Sequence, residues 1–486
     1  MAATDLPFRS ATRLAAALRQ RKLSANELLS LYLARVERHN PRLNAVIELA
    51  VDRARKAARA ADRALARGVR GRPLLGVPMT VKESFDVAGM RTSWGDPALK
   101  DNVATADALA VQRLEAAGAI VFGKTNVPLM LADWQTFNAI HGTTNNPWDT
   151  ARGPGGSSGG SAAALAAGLT GLEAGSDIGA SIRNPAHYCG VWGHKPSWGV
   201  ASPRGHALPG NVAPSDIAAI GPMARSADDL AVALDAMAGP DAIDGRGWRL
   251  ALPRETRREL RAFRVAVILD DRNAEVDRSV QDAIAALADF LARKRVKVSL
   301  TARPAIDFDA LMRVYIALLR AATSGRQSDA ALARMVAEAG RLDPGDESYY
   351  ARMVRGNALR HRDWLRANEQ RHRMRLAWDA FFEDWDVVLC PTATTAAFPH
   401  AQTGERWERM LDVNGGRQPG TEQMFWAGLG GVCYLPATVA PVGATRDGLP
   451  IGVQILAAQY RDHTAIRFAQ LLERAWRGFV PPPGFD

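Results

Sequence analysis

Short apolar runs recur along the chain, and most of them are bounded by glycine, proline or aspartate. Runs of about four to eight residues with these boundaries are typical of buried strands, because helices in globular proteins are usually longer. We therefore predict strands at LLGVPMTV (74–81), AIVFG (119–123), GLEAGSD (171–177), FRVAVIL (263–269), RVKVSL (295–300), DVVLCPT (386–392), YLPATVAP (434–441) and IGVQILAA (451–458).

Between many of these runs the apolar positions change to the spacing of an amphipathic helix. Strands that alternate with helices predict an α/β protein, and the simplest arrangement is one large sheet, mostly parallel or mixed, with helices on its faces. The predicted helices cover 106–117, 160–168, 226–238, 275–293 and 463–476.

The first 70 residues have a helical pattern and no predicted strand. Ser24 and Glu27 have capping-box spacing before LLSLYLARVERH, and the pair Asn40-Pro41 is expected to end this helix. A second helix is predicted over about 50–67. We therefore expect residues 1–70 to form an N-terminal helical segment that packs on the core.

A second helix-rich stretch lies between two predicted strands, at 304–383. We expect it to be a helical excursion beside the sheet, and such an excursion is a natural wall or lid of a substrate pocket. The α/β core then comprises residues 71–303 and 384–486.

Composition excludes several classes of protein. The chain has 486 residues, of which 47% are hydrophobic and 23% charged, as in a large globular protein. No window approaches the roughly 18–20 apolar residues of a membrane helix, and the first residues lack the pattern of a secretory signal. The three cysteines, Cys189, Cys390 and Cys433, have spacings that suit neither a disulfide framework nor a zinc site. We expect a cytoplasmic protein without a membrane partner.

The net charge of +10 would by itself favour a nucleic-acid partner. The distribution of the arginines argues against one. Those at 254–264 are mixed with Glu255 and Glu259, and those at 352–375 recur along an amphipathic helical pattern. Solvated helix faces explain both groups, so we expect no nucleic-acid partner.

The most unusual segment is GPGGSSGGS at 153–161, which a second serine-containing loop, SDIGASIRNP at 176–185, follows. A flexible linker would not be flanked directly by a helix and a buried strand. A phosphate-binding loop would need the Lys-Ser/Thr pair of a Walker motif, which is absent. Residues 156–160 fit the G-x-S-x-G pattern, but the residues before them are rich in turns, whereas a nucleophile elbow follows a strand.

These two loops resemble the amidase signature family of Ser-Ser-Lys hydrolases. The likeness includes GVPMTVKESFDVAGMRTSWG (76–95), VFGKTNVP (121–128), HGTTNNPWD (141–149) and the C-terminal stretch 436–473. It covers most of the chain, so the resemblance implies the amidase signature fold, with a large mixed central sheet sandwiched by helices.

The resemblance matches Ser181 to the nucleophile, Ser157 to a bridging serine whose peptide bond with Gly156 is cis, and Lys82 to the base. A serine hydroxyl needs a nearby acceptor for its proton, and neutral Lys82 would receive it through Ser157. Lysine ordinarily has a pKa of about 10.4, which burial lowers, and the apolar run GVPMTV leads Lys82 into a buried place.

Around these residues the resemblance implies an oxyanion hole made by successive backbone amides and a supporting buried ion pair. The expected oxyanion-hole residues are Ile178, Gly179, Ala180 and Ser181, and the expected supporting residues are Gly156, Ser158, Asp177 and Arg183.

The segment MLADWQTFN at 130–138 resembles the pocket wall of the family, and its apolar, aromatic and amide side chains suit an aryl or alkyl amide. We expect a small-molecule amide or carbamate substrate, with esters also accessible, because the likeness is strongest to bacterial amidases that include urethane-cleaving members. The expected substrate-binding residues are Met130, Leu131, Trp134, Gln135, Phe137 and Asn138.

No metal or organic cofactor is implied, and no histidine has a partner at the spacing of a Ser-His-Asp triad or a metal site. The alternative within the family is the glutamine-hydrolysing subunit of an amidotransferase, which acts with a partner on mischarged tRNA. The segment 201–222 lacks the serine-rich pattern of that subunit, which favours a free-standing hydrolase. We expect such a hydrolase to be a monomer or a homodimer.

Overall fold

The structure is a computed structural model that describes residues 3–485. The α-helices are α1 (Ala11–Arg19), α2 (Ala25–Leu43), α3 (Val51–Ala66), α4 (Leu109–Ala116), α5 (Gly159–Ala166), α6 (Arg183–Cys189), α7 (Ala227–Met237), α8 (Arg278–Arg293), α9 (Phe308–Ser324), α10 (Asp329–Ala339), α11 (Tyr349–Asn357), α12 (His361–Asp384), α13 (Met424–Gly431) and α14 (Asp462–Ala475). The strands are β1 (Val46–Leu49), β2 (Pro78–Lys82), β3 (Ile120–Thr125), β4 (Phe137–Asn138), β5 (Gly142–Thr143), β6 (Glu173–Asp177), β7 (Trp192–Lys195), β8 (Ala219–Ala224), β9 (Arg264–Val267), β10 (Lys297–Ser299), β11 (Val387–Pro391), β12 (Met410–Val413), β13 (Gly416–Pro419), β14 (Ala437–Ala444) and β15 (Pro450–Leu456).

Eight strands form one mixed sheet in the order β10-β9-β11-β15-β14-β7-β8-β6. Strand β9 pairs in parallel with β10 and β11, and the other neighbours are antiparallel. Every residue of β15 is buried. Because successive side chains of a strand point to opposite faces, both faces of the sheet are covered there, and α6, α8 and α14 pack on its central strands. The predicted α/β fold with a large mixed sheet between helices is confirmed.

Two of the predicted strands belong to a smaller sheet instead. Strands β2 and β3 pair in parallel, and β1 adds to β3 in the antiparallel direction. This corrects the expectation that the first 70 residues contain no strand. The small sheet adjoins the large one, because the amide of Gly171 donates to the carbonyl of Pro78, and the amide of Thr80 donates to the hydroxyl of Thr170. Strand β2 therefore lies beside β6.

Helix α2 begins as the sequence predicts and ends later. The hydroxyl of Ser24 accepts from the amide of Glu27, whose carboxylate accepts from the amide of Ser24, so the capping box is present. The predicted stop at Asn40-Pro41 is wrong, because the helix runs on to Leu43. A proline in the last turn removes only one hydrogen bond, and the helix ends at Asn44, whose φ of 52° is left-handed.

The sequence did not predict β7 and β8, which complete the sheet between β14 and β6. Their runs, WGHK and AIGPMA, are interrupted by polar residues, glycine or proline, although every residue in them is buried. Within residues 3–485, no helix has the length and apolar character needed to cross a membrane.

Candidate active site

Lys82 is the last residue of β2 and is completely buried. Its Nζ lies 2.6 Å from Oγ of Ser157 and 3.0 Å from Oγ of Ser176, which belongs to the neighbouring strand β6. Burial lowers the pKa of Lys82 well below its ordinary value, and the charge of Arg326 acts in the same direction, while Asp177 opposes both. The side chain is therefore a candidate base that loses its proton far more readily than a lysine in water.

Glycines hold Ser157 close to this lysine. The peptide bond between Gly156 and Ser157 is cis. A Cβ atom at Gly156 would lie 2.3 Å from the carbonyl oxygen of Asp133, and one at Gly160 would lie 2.4 Å from the amide nitrogen of Asn126. The glycine-rich segment is therefore a tightly packed entry into α5, which argues against a flexible linker.

Ser181 lies in the loop that joins β6 to α6, and the carboxylate of Asp177 shapes that loop. Asp177 accepts hydrogen bonds from the amides of Ala180, Ile182 and Arg183. It also forms a completely buried ion pair with the guanidinium of Arg183, at 2.8 Å. Burial alone would raise the pKa of Asp177, but Arg183 outweighs it and holds the pKa below its ordinary value. The carboxylate therefore stays charged and fixes the loop.

The two serine loops are joined directly. The amide of Ser158 donates to the carbonyl of Ser181 at 3.0 Å, and the amide of Gly156 donates to the side chain of Asn184 at 3.1 Å. Ser181 is 5% exposed and lines a cavity. Among the described residues, no side chain or backbone group forms a hydrogen bond with its hydroxyl, and none joins it to Ser157. The structure thus contains the Lys82–Ser157 contact and a free Ser181 hydroxyl.

The expectation for Ala180 needs correction. Its N–H donates to Asp177 at 2.9 Å, so it is not free to bind an oxyanion. The amides of Ile178, Gly179 and Ser181 have no partner within residues 3–485. Tyr315 donates to the carbonyl of Ile178 at 3.3 Å, and because the C=O and N–H of a trans peptide point in opposite directions, this bond turns the N–H of Gly179 away from Tyr315.

The cavity at Ser181 has a volume of about 1590 Å³. Five of the six residues expected to bind substrate line it: Met130, Leu131, Trp134, Phe137 and Asn138. Trp134 also donates its indole N–H to the carbonyl of Gly179 at 2.7 Å, so it supports the serine loop as well.

Gln135 is the exception among the expected substrate-binding residues. Its side chain is completely buried and forms two hydrogen bonds with the backbone of Ala401, at 2.7 and 2.9 Å. It is not part of the cavity lining, and it anchors the segment that carries Ala401.

Several cavity residues were missed by the sequence analysis. Arg320 of α9, Arg326 of the turn after α9 and Tyr349 of α11 line the cavity, and the segment before β12 contributes Arg406. Nothing in the local pattern places these distant residues together. Ser176 was also not assigned a role, although it directly precedes Asp177, and alternation along β6 turns it to the opposite side from that carboxylate.

The histidines near the serine loops have other partners. His187 lies between the backbone of Gly452 and that of Thr395, and His206 is hydrogen-bonded to Ser84 at 2.9 Å. Burial lowers the pKa of His187 to about 4 and that of His206 to about 3, so both are neutral at pH 7. The part of the chain that the structure describes contains no group of three or more His, Cys, Asp or Glu side chains able to hold a metal ion.

Comparisons with known proteins match most of the chain and its fold. A sequence model of the family described as Amidase matches residues 27–466. The chain is 34% identical over 471 residues to an indoleacetamide hydrolase of Bradyrhizobium diazoefficiens, with 96% of this chain and 86% of that protein covered. It is 30% identical over 488 residues to a glutamyl-tRNA(Gln) amidotransferase subunit of Koribacter versatilis, with 96% of this chain and 97% of that protein covered. The solved structure of 6-aminohexanoate cyclic dimer hydrolase complexed with substrate is similar with a TM-score of 0.78 and 27% identity, over 99% of each chain.

Proposed function

The chain belongs to the amidase family, and from that premise we propose that it hydrolyses the C–N bond of small-molecule amides through an acyl-enzyme on Ser181. The observation that carries the proposal is the 2.6 Å contact between Lys82 and Ser157 in a fully buried place, beside a Ser181 hydroxyl that faces the cavity. Such a contact gives the proton of a serine nucleophile an acceptor.

In the proposed mechanism, Oγ of Ser181 attacks the amide carbonyl carbon while its proton passes to Ser157, and the proton of Ser157 passes to the neutral amine of Lys82. Hydrogen bonds of this kind are often long in the absence of substrate and shorten in the complex. In this proposal the amides of Ile178, Gly179 and Ser181 stabilise the negative oxygen that forms. Loss of one such donor typically slows catalysis by about 10²–10³-fold.

The tetrahedral intermediate then collapses. The C–N bond breaks, and the leaving nitrogen receives a proton from Lys82 through Ser157, which restores the neutral base. A water molecule attacks the acyl-enzyme and its proton passes through Ser157 to Lys82. The bond between the acyl carbon and Oγ of Ser181 then breaks, Oγ receives a proton from Lys82 through Ser157, and the carboxylic acid leaves. Because Lys82 must be neutral at the start, the burial that lowers its pKa is part of the mechanism.

The proposal also covers substrate class and organisation. Carbamates and esters have the same carbonyl geometry, so an N-aryl carbamate is a substrate to test alongside amides. The cavity lining by Arg320, Arg326 and Tyr349 supports the role of residues 304–383 as a pocket wall. We retain the cytoplasm as the proposed location and a monomer or homodimer as the proposed state.

The alternative is a glutamine-hydrolysing component of an amidotransferase, which the similarity to the Koribacter versatilis protein keeps open. Such a component would need a partner and would show little hydrolysis alone. The test is the release of amine by the purified protein from an anilide, an N-aryl carbamate, a primary amide and glutamine, with Ser181→Ala and Lys82→Ala as matched variants.

We expect turnover of the anilide that is lost in both variants. Turnover that survives in Ser181→Ala would overturn the assignment of the nucleophile. Little turnover of any of the four compounds, or weak hydrolysis that is limited to glutamine, would favour the amidotransferase alternative. Cleavage of the anilide without the carbamate would limit the substrate class to amides.

A further inference from the structure

Three buried or partly buried arginines line the cavity without an acidic partner. Arg320, Arg326 and Arg406 come from α9, from the turn after α9 and from the segment before β12. Within residues 3–485, none of the three forms an ion pair with an aspartate or glutamate. Arg320 is 8% exposed, and its Nε has no hydrogen-bond partner.

The hydrogen bonds of these arginines leave most of their donors unused. Arg320 donates to the hydroxyl of Tyr349, Arg326 to the carbonyl of Met130, and Arg406 to the carbonyl of Ala132. A guanidinium carries several N–H donors in a planar fork, so a single acceptor satisfies only part of it.

Arg225 illustrates how a purely structural buried arginine is satisfied in this chain. It is 2% exposed and also lacks a carboxylate partner. Its three nitrogens donate to four backbone carbonyls, with N···O distances of 2.6–3.2 Å. The cavity arginines do not have such a set of acceptors, so a structural role accounts for them poorly.

Arg320 lies close enough to each of the other two cations to repel it. Burial lowers the pKa of Arg326 to about 10, and the charge of Arg320 lowers it as well. Burial, followed by the charge of Arg320, also lowers the pKa of Arg406. The carboxylate that faces Arg406 is Asp133, but it is paired with Arg409 at 2.6 Å. Within residues 3–485, none of these three guanidinium groups therefore has a carboxylate of its own.

Holding unpaired cations away from water is unfavourable, and an anionic ligand would remove that penalty. We propose that the substrate carries a carboxylate, remote from the scissile amide, and that Arg320, Arg326 and Arg406 bind it in the cavity. A planar guanidinium matches a carboxylate with two parallel hydrogen bonds. This inference rests on the proposed function and specifies its substrate class as amides of dicarboxylic acids or of amino acids.

Two locations of the carboxylate fit the same chemistry, because it can belong to the acyl part or to the amine part of the substrate. The first is probed by mono-4-nitroanilides of dicarboxylic acids with chains of increasing length. The second is probed by N-acyl-4-aminobenzoates. In each arm the control is a neutral analogue of the same length in which a methyl ketone replaces the carboxylate, because the enzyme cannot hydrolyse a ketone.

The measured quantity is the ratio of kcat/KM for the carboxylate to kcat/KM for the ketone. We expect a ratio of at least about 10 in one arm for the wild type, and a fall of about tenfold or more in Arg320→Gln and in Arg406→Gln. The matched control is Arg313→Gln, which lies on the same helix α9 but outside the cavity lining, and it should keep the wild-type ratio.

A ratio near 1 in both arms, or a ratio that these variants leave unchanged, would overturn the inference. If the wild type still hydrolyses the anilide bond of the ketone analogues in that case, and Ser181→Ala does not, the proposed function stands. Loss of all hydrolysis in the wild type would instead contradict the proposed function.

Calorimetry tests the carboxylate site without turnover. A series of straight-chain dicarboxylates is titrated into the wild type, Arg406→Gln and Arg313→Gln. We expect at least one dicarboxylate to bind the wild type and to bind Arg406→Gln about tenfold more weakly or worse. Absence of binding to the wild type, or equal binding to Arg406→Gln, would overturn the inference.

Discussion

Arg183 beneath the Ser181 loop and Arg320 in the cavity wall are both more than nine-tenths buried, yet only Arg183 has a carboxylate partner. Arg183 also donates to the side chain of Gln454 at 2.6 Å and to the carbonyl of Ala427 at 3.0 Å, so all three nitrogens of its guanidinium donate hydrogen bonds. Among the described residues, Arg320 donates only to Tyr349. The first arrangement fixes the shape of a loop, whereas the second leaves binding capacity available to a ligand.

The difference matters for catalysis because the two regions meet at the same cavity. Asp177 and Arg183 hold the backbone from which the amides of Ile178, Gly179 and Ser181 project. The arginines of the wall contribute to recognition, and Arg326 also influences Lys82 through its charge. Stability and binding are thus assigned to different buried cations, and each assignment can be tested separately.

The largest expected effect on stability comes from removing the carboxylate partner of Arg183. Asp177→Asn leaves Arg183 buried without a counter-charge, so the free energy of unfolding should fall by about 3–5 kcal/mol. Urea denaturation measures this change. Asp412→Asn is the matched control, because its pair with Arg417 is largely exposed and should contribute at most about 1 kcal/mol. Equal losses in the two variants would contradict the structural role of the buried pair.

A smaller change in the free energy of unfolding, either of opposite sign or none, is expected when the unpaired Arg320 is replaced. Arg320→Met replaces a buried charge with an apolar side chain of similar length, so the free energy of unfolding should stay the same or rise by up to about 2 kcal/mol. Arg225→Met is the comparison, because it leaves buried carbonyls without donors and should cost at least about 2 kcal/mol. A clear loss of stability in Arg320→Met would indicate a structural role instead.

The smallest expected effect is a shift in the pH dependence of kcat/KM. The base must be neutral, so kcat/KM is high above the pKa of Lys82 and is lost as the pH falls through it. The charge of Arg326 helps to lower that pKa. With a neutral anilide as substrate, Arg326→Gln should therefore raise the pKa and move the acid limb of kcat/KM to higher pH. Arg313→Gln should leave the limb in place, and a shift to lower pH in Arg326→Gln would contradict the coupling.

The sequence predicted the parts of the fold that depend on local pattern. The run 451–458 contains all of β15 except its first residue, and the capping box at Ser24 begins α2, because each signal lies within a few neighbouring residues. The assignment of β2 to a separate sheet was not predictable, since pairing between strands depends on the whole topology. The helix end at Pro41 was misplaced because the penalty of a proline depends on its position in the last turn.

The same distinction holds at the site. Lys82, Ser157 and Ser181 stand in compact motifs, so the resemblance could identify them. The bond between Ala180 and Asp177 depends on the detailed turn geometry, and the inward direction of Gln135 depends on a contact with Ala401, 266 positions away. Arg320 and Arg406 meet only because α9 and the segment before β12 fold onto the same cavity, which no local pattern reports.

The most direct test of the central claim is to locate the nucleophile with a fluorophosphonate, which forms a stable adduct with an activated serine. Trypsin releases residues 153–183 as one peptide, and its fragmentation distinguishes Ser157, Ser158, Ser161, Ser176 and Ser181. We predict an adduct on Ser181 alone, absent in Ser181→Ala and formed about a hundredfold more slowly in Lys82→Ala. An adduct on Ser157 or Ser158, or labelling at an unchanged rate in Lys82→Ala, would contradict the account.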